Sequence, residues 1–486
     1  MHAKDVSIMK RKDAEKGIGI LIITLCLTVS VISQIGIVCT SWPKFRHDFN
    51  NTGYTSKAGP KTNVTVWEFD AGGVVTSSPA VVEGVVYVGS NDTYVYALDA
   101  STGDEVWRYQ ISGQFGWNGT YSSPAVADGV VYIGSNDFNI YALNATTGDK
   151  IWNFTVFGYV YSSPAVVDGV VYVGGTDSFV YALNATTESL TWEERLIWAT
   201  TVGLYNTTEG WVIHGITSSP AVVDGVVYVG SAANNTGFTG NVTALDAATG
   251  DIIWMYPLTQ GVWFSAPAVI EDVLYIGTYD GQVLALNATT QSLTPAERLI
   301  WSFKAQNRVA TSPAVAYGMV YTGETGSPAR VLALNASTGL LEWFWLPPPT
   351  PPTFGVYCSA AVSDGVVYTG TDNGLVLALN AMTGEEIWSY GVGNHLRGSA
   401  VVAEDADGRV RLFVGSHSHK VYAFGLGIWD IDANEIVNIL DILIIAVAFG
   451  TSPGDPKWNP QADVDPNGII NILDVLQVAV HFGEQT

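Results

Sequence analysis

One phrase recurs eight times along the chain: a Ser-Pro-Ala-Val opening, an acidic-Gly turn, a Val-Val-Tyr-Val-Gly run, an Ala-Leu-Asp/Asn-Ala-x-Thr-Gly turn and a tryptophan. The clearest copy runs from Ser77 to Trp107, and others open near Ser122, Ser162, Ser218, Ser265, Thr311, Ser359 and Gly398. Successive openings lie between 39 residues (Ala360 to Ser399) and 56 residues (Pro164 to Pro220) apart. Self-similarity at a period of roughly 40–50 residues marks propellers and solenoids, whose units bury an apolar face only by stacking on a neighbour.

Each copy reads as strands. Val-Val-Tyr-Val runs of β-formers sit between glycine turns, and Asp-Gly at 128–129, 168–169, 224–225 and 364–365 is a hairpin signal, because tight primed turns need positive φ. About four short antiparallel strands per copy are expected. The longer intervals locate insertions, such as ESLTWEERLIW (188–198) and its counterpart QSLTPAERLIW (291–301). Trp107, Trp152, Trp198, Trp254, Trp301, Trp343 and Trp388 follow the first seven openings, but the eighth copy ends at Gly425 without one. Trp67, in the strand-like stretch 64–70, precedes the first opening instead. A ring closed by its own N-terminal strand accounts for this displacement and leaves no open sheet edge.

ALDASTGDEVW (97–107), ALNATTGDKIW (142–152), ALDAATGDIIW (244–254) and ALNAMTGEEIW (378–388) resemble the tryptophan-docking motif of the quinoprotein-type, or PQQ-like, eight-bladed β-propeller. WPKFRHDFNNTGYT (42–55) resembles the lead-in that precedes such propellers. The resemblance covers about residues 42–427 and implies a mainly β fold with the tryptophans as packing wedges between blades. It implies two kinds of activity, dehydrogenases that use pyrroloquinoline quinone and non-enzymatic BamB-type scaffolds. The quinone enzymes hold their cofactor between a tryptophan and a disulfide of adjacent cysteines, beside a carboxylate-bound calcium ion. Cys26, Cys39 and Cys358 are not adjacent, so no bound quinone is expected and a non-enzymatic role is favoured. His417 and His419 could serve as a metal pair but read better as a polar turn, and His214 and His395 read as loop positions. Neither a Gly-rich phosphate loop nor a nucleophile elbow is present.

After residue 427 the period and the chemistry change. DIDANEIVNILD (430–441) runs into ILIIAVAFG, and DVDPNGIINILD (463–474) into VLQVAVHFG. Calcium takes six to eight oxygen ligands, which an EF-hand-like loop presents from positions 1, 3, 5, 7, 9 and 12. Those positions are Asp430, Asp432, Asn434, the Ile436 carbonyl, Asn438 and Asp441 in the first loop. In the second they are Asp463, Asp465, Asn467, the Ile469 carbonyl, Asn471 and Asp474. Gly468 supplies the sharp turn at position 6 of the second loop, where the first has Glu435, so the first site is expected to be weaker. The doublet resembles a type I dockerin, spanning about 428–486, which implies two calcium sites and docking onto a cohesin-like protein. Ile439-Leu440 and Ile472-Leu473 stand where dockerins are often polar, so another receptor, or the propeller itself, is an alternative contact.

Lys4, Lys10, Arg11, Lys12 and Lys16 precede an uncharged stretch from Gly17 to Ser41, which reads as a signal peptide or a membrane anchor with all later residues facing outward. Twelve Asn-x-Ser/Thr sequons point to a glycosylated surface, although Asn144, Asn184, Asn287 and Asn335 sit in the turn where other copies have Asp. A net charge of −24 argues against a nucleic-acid partner, which needs clustered Lys and Arg. These readings combine into an exported propeller (42–427) used as a binding or assembly platform. A calcium-binding module (428–486) attaches it to a protein partner, and a surface protein or glycan is held on a propeller face. A PQQ- and calcium-dependent dehydrogenase and an accessory protein of polysaccharide breakdown are the alternatives.

Overall fold

The computed structural model describes residues 41–111, 119–202, 204–207, 210–213, 215–232, 240–348, 355–425, 439–453, 457, 459, 462, 464 and 469–480. Eight antiparallel sheets follow one another as the blades of a propeller. The first blade is Ala80–Val82, Val85–Gly89, Tyr94–Asp99 and Glu105–Gln110, numbered outward from the axis. The middle strands of each blade are buried on both faces, because a neighbouring sheet covers each side. That is why Val-Val-Tyr-Val shows no polar alternation. In the outermost strands the tryptophan is the main buried residue, as in Glu105–Gln110 with its buried Trp107. The expected hairpin turns are present, with positive φ at both Asp128 and Gly129 and at both Asp168 and Gly169.

The ring closes as the tryptophan count requires. Thr65–Asp70 pairs antiparallel with Lys420–Gly425, so the N-terminal strand becomes the outer strand of the eighth blade and carries Trp67 into the position that blade lacks. Each tryptophan then ties its blade to the next. Trp107 Nε1 and Tyr87 Oη both donate to the Ala145 carbonyl, at 2.8 and 3.2 Å, and Trp301 with Tyr275 does the same at Ala336. Trp388 and Tyr368 reach the Pro60 carbonyl at 3.1 and 2.9 Å, because the eighth blade has no Thr-Gly turn to offer and the segment between the lead-in and the closing strand supplies a carbonyl instead.

A glycine of the next blade's turn faces each indole where that turn is intact. A Cβ on Gly339 would lie 2.6 Å from the Trp301 ring, and its φ of +71° already disfavours any side chain. The two insertions replace this glycine. Thr191 and Thr294 each open a one-turn helix (Trp192–Arg195 and Pro295–Arg298) with a complete capping box. The helices place Arg195 over Trp152 at 4.2 Å and Arg298 over Trp254 at 4.1 Å. Gly339→Ala is expected to cost about 2–4 kcal/mol, from the combined backbone strain and overpacking. Denaturant unfolding of the variant beside the wild type checks it.

The lead-in caps the axis. The innermost strands are three or four residues long and would leave N–H and C=O groups unpaired near the centre. Residues 42–53 run past them in blade order. The carbonyls of Trp42, Pro43, Phe49, Asn50, Thr52 and Gly53 accept from the amides of Val81, Val126, Val222, Val269, Val315 and Val362, at 2.7–2.9 Å. Asn51 Nδ2 donates to the Pro220 and Pro267 carbonyls at 3.1 Å, and the Arg46 guanidinium donates to the carbonyls of Pro313 and Ala360.

This plug buries a positive charge. Lys44 is 2% exposed and donates to the Asp48 carbonyl and to Asn51 Oδ1. Burial is the largest influence on its ammonium and, with Arg46 nearby, lowers it from 10.5 to about 7 despite the attraction of Asp48. The unfolded chain therefore binds a proton between about pH 10.5 and 7 that the folded chain does not. Folding stability falls as pH drops through that window and levels off below it. The wild type is expected to gain stability relative to Lys44→Met between pH 7 and 9.5. Calorimetric Tm values of both proteins across that range read the difference in slope.

Beyond the propeller, the helices Ile439–Ala448 and Ile472–Val480 pack together around Ile445, Ala448, Val464, Ile470 and Val478. Each begins at position 10 of the loop expected before it. Among the described residues no helix is long and apolar enough to cross a membrane. Residues 17–40 of the expected signal or anchor, and the junction at 426–427, lie outside the described residues.

Candidate functional site: the axial channel

Around the axis the Ser-Pro motif does a second job that the sequence analysis did not foresee. The serine before the proline hydrogen-bonds from blade to blade. The Ser78 amide donates to Ser123 Oγ, Ser123 to Ser163 and Ser163 to Ser219, each at 2.9 Å. On the far side Ala266 donates to Ser312 and Ser312 to Ser359 at 2.9 Å, and Ser399 donates to Ser78 at 2.7 Å. This bond makes Ser399 the counterpart of Ser359, so Ala400 rather than Ser399 matches Ala360, and that interval is 40 residues rather than the 39 expected. Besides a missing link from Ser359 to Ser399, the belt among the described residues has no link from Ser219, because its next neighbour, Ala266, carries no hydroxyl. Ala266→Ser is expected to close that gap and to raise unfolding free energy by about 1 kcal/mol, the net worth of one hydrogen bond. Urea denaturation checks it.

The serine belt lines a cavity of about 220 Å³, with Phe45 of the plug at one end. Two residues before each belt position stand the side chains of the other end: Thr76, Tyr121, Tyr161, Thr217, Phe264, Ala310, Tyr357 and Arg397. Here the repeat varies in size and chemistry, as in TSSP at 76, YSSP at 121, FSAP at 264 and RGSA at 397, while the positions that follow keep small residues and mostly Pro. Aligning the eight copies and reading the odd column would have found the mouth. Trp263, Tyr279 and Arg308 complete it. Arg308 lies over the Tyr279 ring at 4.1 Å and Arg397 over Tyr357 at 4.9 Å. Asp372, behind the mouth, has Oδ1 3.4 Å from Arg397 Nε and 3.3 Å from His395 Nδ1.

The three described histidines of the set, His395, His417 and His419, lie in loop and turn positions as expected. His417 and His419 lie in the turn between Val410–Gly415 and Lys420–Gly425, and His395 is in a loop. Burial first, then Arg397, His395 and His419, lower His417 to about 4, which leaves it uncharged at neutral pH. His214 lies outside the described residues. Cys358 is buried and free, and burial pushes its thiol up to about 11, far from a nucleophile's range. A calcium-bound quinone does not fit this lining. The described lining side chains include no Asp, Glu or Asn to hold the ion, and the lone Cys358 cannot form a disulfide of neighbours.

Of the twelve residues expected to bind calcium, eight (Asp430, Asp432, Asn434, Ile436, Asn438, Asp463, Asp465 and Asn467) lie outside the described residues. Asp441 and Asp474, the position-12 carboxylates, are both fully buried in the first turn of their helices. Asp474 accepts from the amides of Val464 and Asn471 at 2.6 and 2.7 Å, so its carboxylate is turned back into its own loop. The Ile469 carbonyl accepts from Asn471 Nδ2 at 2.7 Å. Among the described residues no three acidic, His or Cys side chains gather as a metal site.

A family model described as outer membrane protein assembly factor BamB matches residues 53–237, 112–292 and 239–438. The chain belongs to that family. The BamB of Xanthomonas campestris is 32% identical over 208 residues, 40% of this chain and 46% of that protein. A quinohemoprotein alcohol dehydrogenase of Comamonas testosteroni is 27% identical over 153 residues, 29% of this chain and 21% of that protein. The chain thus matches less than half the length of either relative. Among solved structures, a europium-containing methanol dehydrogenase superposes with a TM-score of 0.64 at 14% identity, over 80% of this chain and 98% of that one. BamB from Moraxella catarrhalis superposes at 0.56 and 17% identity, over 75% and 98%. At such identities the superpositions speak for the fold, and BamB-family propellers and quinoprotein dehydrogenases share it.

Proposed function

We propose that this BamB-family propeller is a non-enzymatic, extracytoplasmic platform, held to a protein partner by a calcium-loaded, dockerin-like module. The observation that carries the non-enzymatic reading is the lining of the axial channel. Hydroxyls, aromatic rings and guanidiniums face it, without a carboxylate among the described lining to act as base or hold a metal. The outward location rests on the basic N-terminus followed by an uncharged stretch.

The attachment reading rests on the matched ends of the two acidic loops. Asp441 and Asp474 are buried at equivalent first turns. One step before each, Leu440 and Leu473 are about half exposed, and Leu443 and Leu476 repeat that exposure one turn later. Two such apolar pairs at helical spacing suit a protein surface, cohesin-like or other. Bound calcium would neutralise the loop carboxylates and fix both helix starts.

Titration of the chelator-treated full chain with calcium is expected to show two sites, the second-loop site tighter. Asp474→Ala should abolish that tighter site and leave the other. Surface proteins of the source organism should be retained by the immobilised full chain with calcium and released by chelator. Absence of calcium binding would sink the attachment reading.

A second reading, a PQQ-dependent dehydrogenase, is favoured by the similarity to the Comamonas testosteroni enzyme. Dye-linked alcohol oxidation after addition of quinone and calcium would establish it in place of the platform.

A further inference from the structure

We infer that the axial channel is a binding site for a small ring-bearing carboxylate, taken up without a metal. The inference goes beyond the attachment role and stands on the channel alone. Ser78, Ser123, Ser163, Ser219 and Ser359 are each more than nine-tenths buried and line the cavity. Each Oγ accepts an amide hydrogen from a neighbouring blade. A hydroxyl that accepts keeps one hydrogen to donate. For these five no acceptor is found among the described residues, so the belt presents O–H donors to whatever occupies the channel. Accepting an N–H also polarises each hydroxyl and makes it a stronger donor.

The mouth adds positive charge. Arg397 shares its guanidinium with Asp372, but Arg308 faces no carboxylate among the described residues and rests on the Tyr279 ring. A cation at the mouth with no carboxylate facing it among the described residues stands out in a chain whose net charge is −24. Donors without carboxylates select an acceptor-rich anion, and guanidinium matches carboxylate geometry.

The remaining surface sets the shape. Trp263 and Phe264 are 44% and 42% exposed, and Tyr121 is 38% exposed. These faces offer stacking to a planar or cyclic body, and a cavity of about 220 Å³ admits a single substituted ring. The carboxylate would lie toward Arg308 and the serine belt, and the ring against the aromatic rim.

Isothermal titration of the full chain tests the assignment with two anion–neutral pairs, benzoate with benzyl alcohol and glucuronate with glucose. The expected result is that at least one anion binds and its neutral partner binds at least tenfold more weakly. Chelator should not change this. Arg308→Gln, at an exposed side chain, should weaken the anion about tenfold, the scale of a lost charged hydrogen bond. Ala310→Asp, which places a carboxylate in the mouth, should abolish binding while the circular dichroism spectrum stays that of the wild type. Equal binding of anion and neutral partner, a requirement for calcium, or no binding of either anion by the folded protein would each overturn the proposal.

Discussion

Everything in the propeller depends on how one blade is tied to the next. Sheets stacked face to face through aliphatic side chains alone could slide, because dispersion is not directional. The indole N–H and the tyrosine O–H, converging on one turn carbonyl, remove that freedom. The pair fixes both the distance between blades and their rotation about the axis. The glycine under each indole follows from the same contact, since a Cβ on Gly148 would sit 2.7 Å from the Trp107 ring. Where Thr-Gly is missing, the chain uses an arginine to cover the ring, and the tie survives with the indole's acceptor moved on by one residue and the tyrosine's unchanged. Trp152 then reaches Thr186 while Tyr132 reaches Ala185.

The outer part of this scheme was legible in the sequence. The repeat, the turn glycines and the tryptophan count specified eight blades and the closing strand, because the residues that make those contacts are large, rare and periodic. The sequons in the Ala-Leu-Asn-Ala turn also fell into place. Asn144 Oδ1 accepts the amides of Thr146 and Thr147, as Asp99 Oδ1 accepts those of Ser101 and Thr102, so the turn needs only an oxygen acceptor.

The inner part was not legible. The lead-in pairs through backbone carbonyls, which carry no side-chain signature, so WPKFRHDFNNTGYT was identified as a lead-in without its role as a plug. The serine belt was hidden differently. Ser in Ser-Pro reads as a turn residue, and nothing local announces that its hydroxyl serves a blade some forty residues away. The column of variable residues at the mouth was present in every copy, but its meaning requires knowing that the opening motif faces the axis. For the acidic loops, composition and spacing pointed to calcium; each helix begins at position 10 of its expected loop, and most of the expected ligands lie outside the described residues. Asp441 and Asp474 are buried in the first turns of those helices.

The two ends of the axis have different physical characters, which directs where function can reside. At the plug, backbone pairing, two Asn51 contacts and a buried Lys44 spend nearly every polar group on structure. At the belt the accounting leaves a remainder, since Ser78, Ser123, Ser163, Ser219 and Ser359 each satisfy one neighbour and retain a donor among the described residues. Propeller closure needs the acceptor half of each hydroxyl and makes no use of the donor half. A chain selected for closure alone could meet the same need with any small acceptor side chain. It could equally fill the channel, as Ala266 shows that the ring tolerates a position without the bond. Keeping hydroxyls, opening the mouth with aromatic faces and leaving Arg308 without a carboxylate partner among the described residues together produce a cavity that closure does not require.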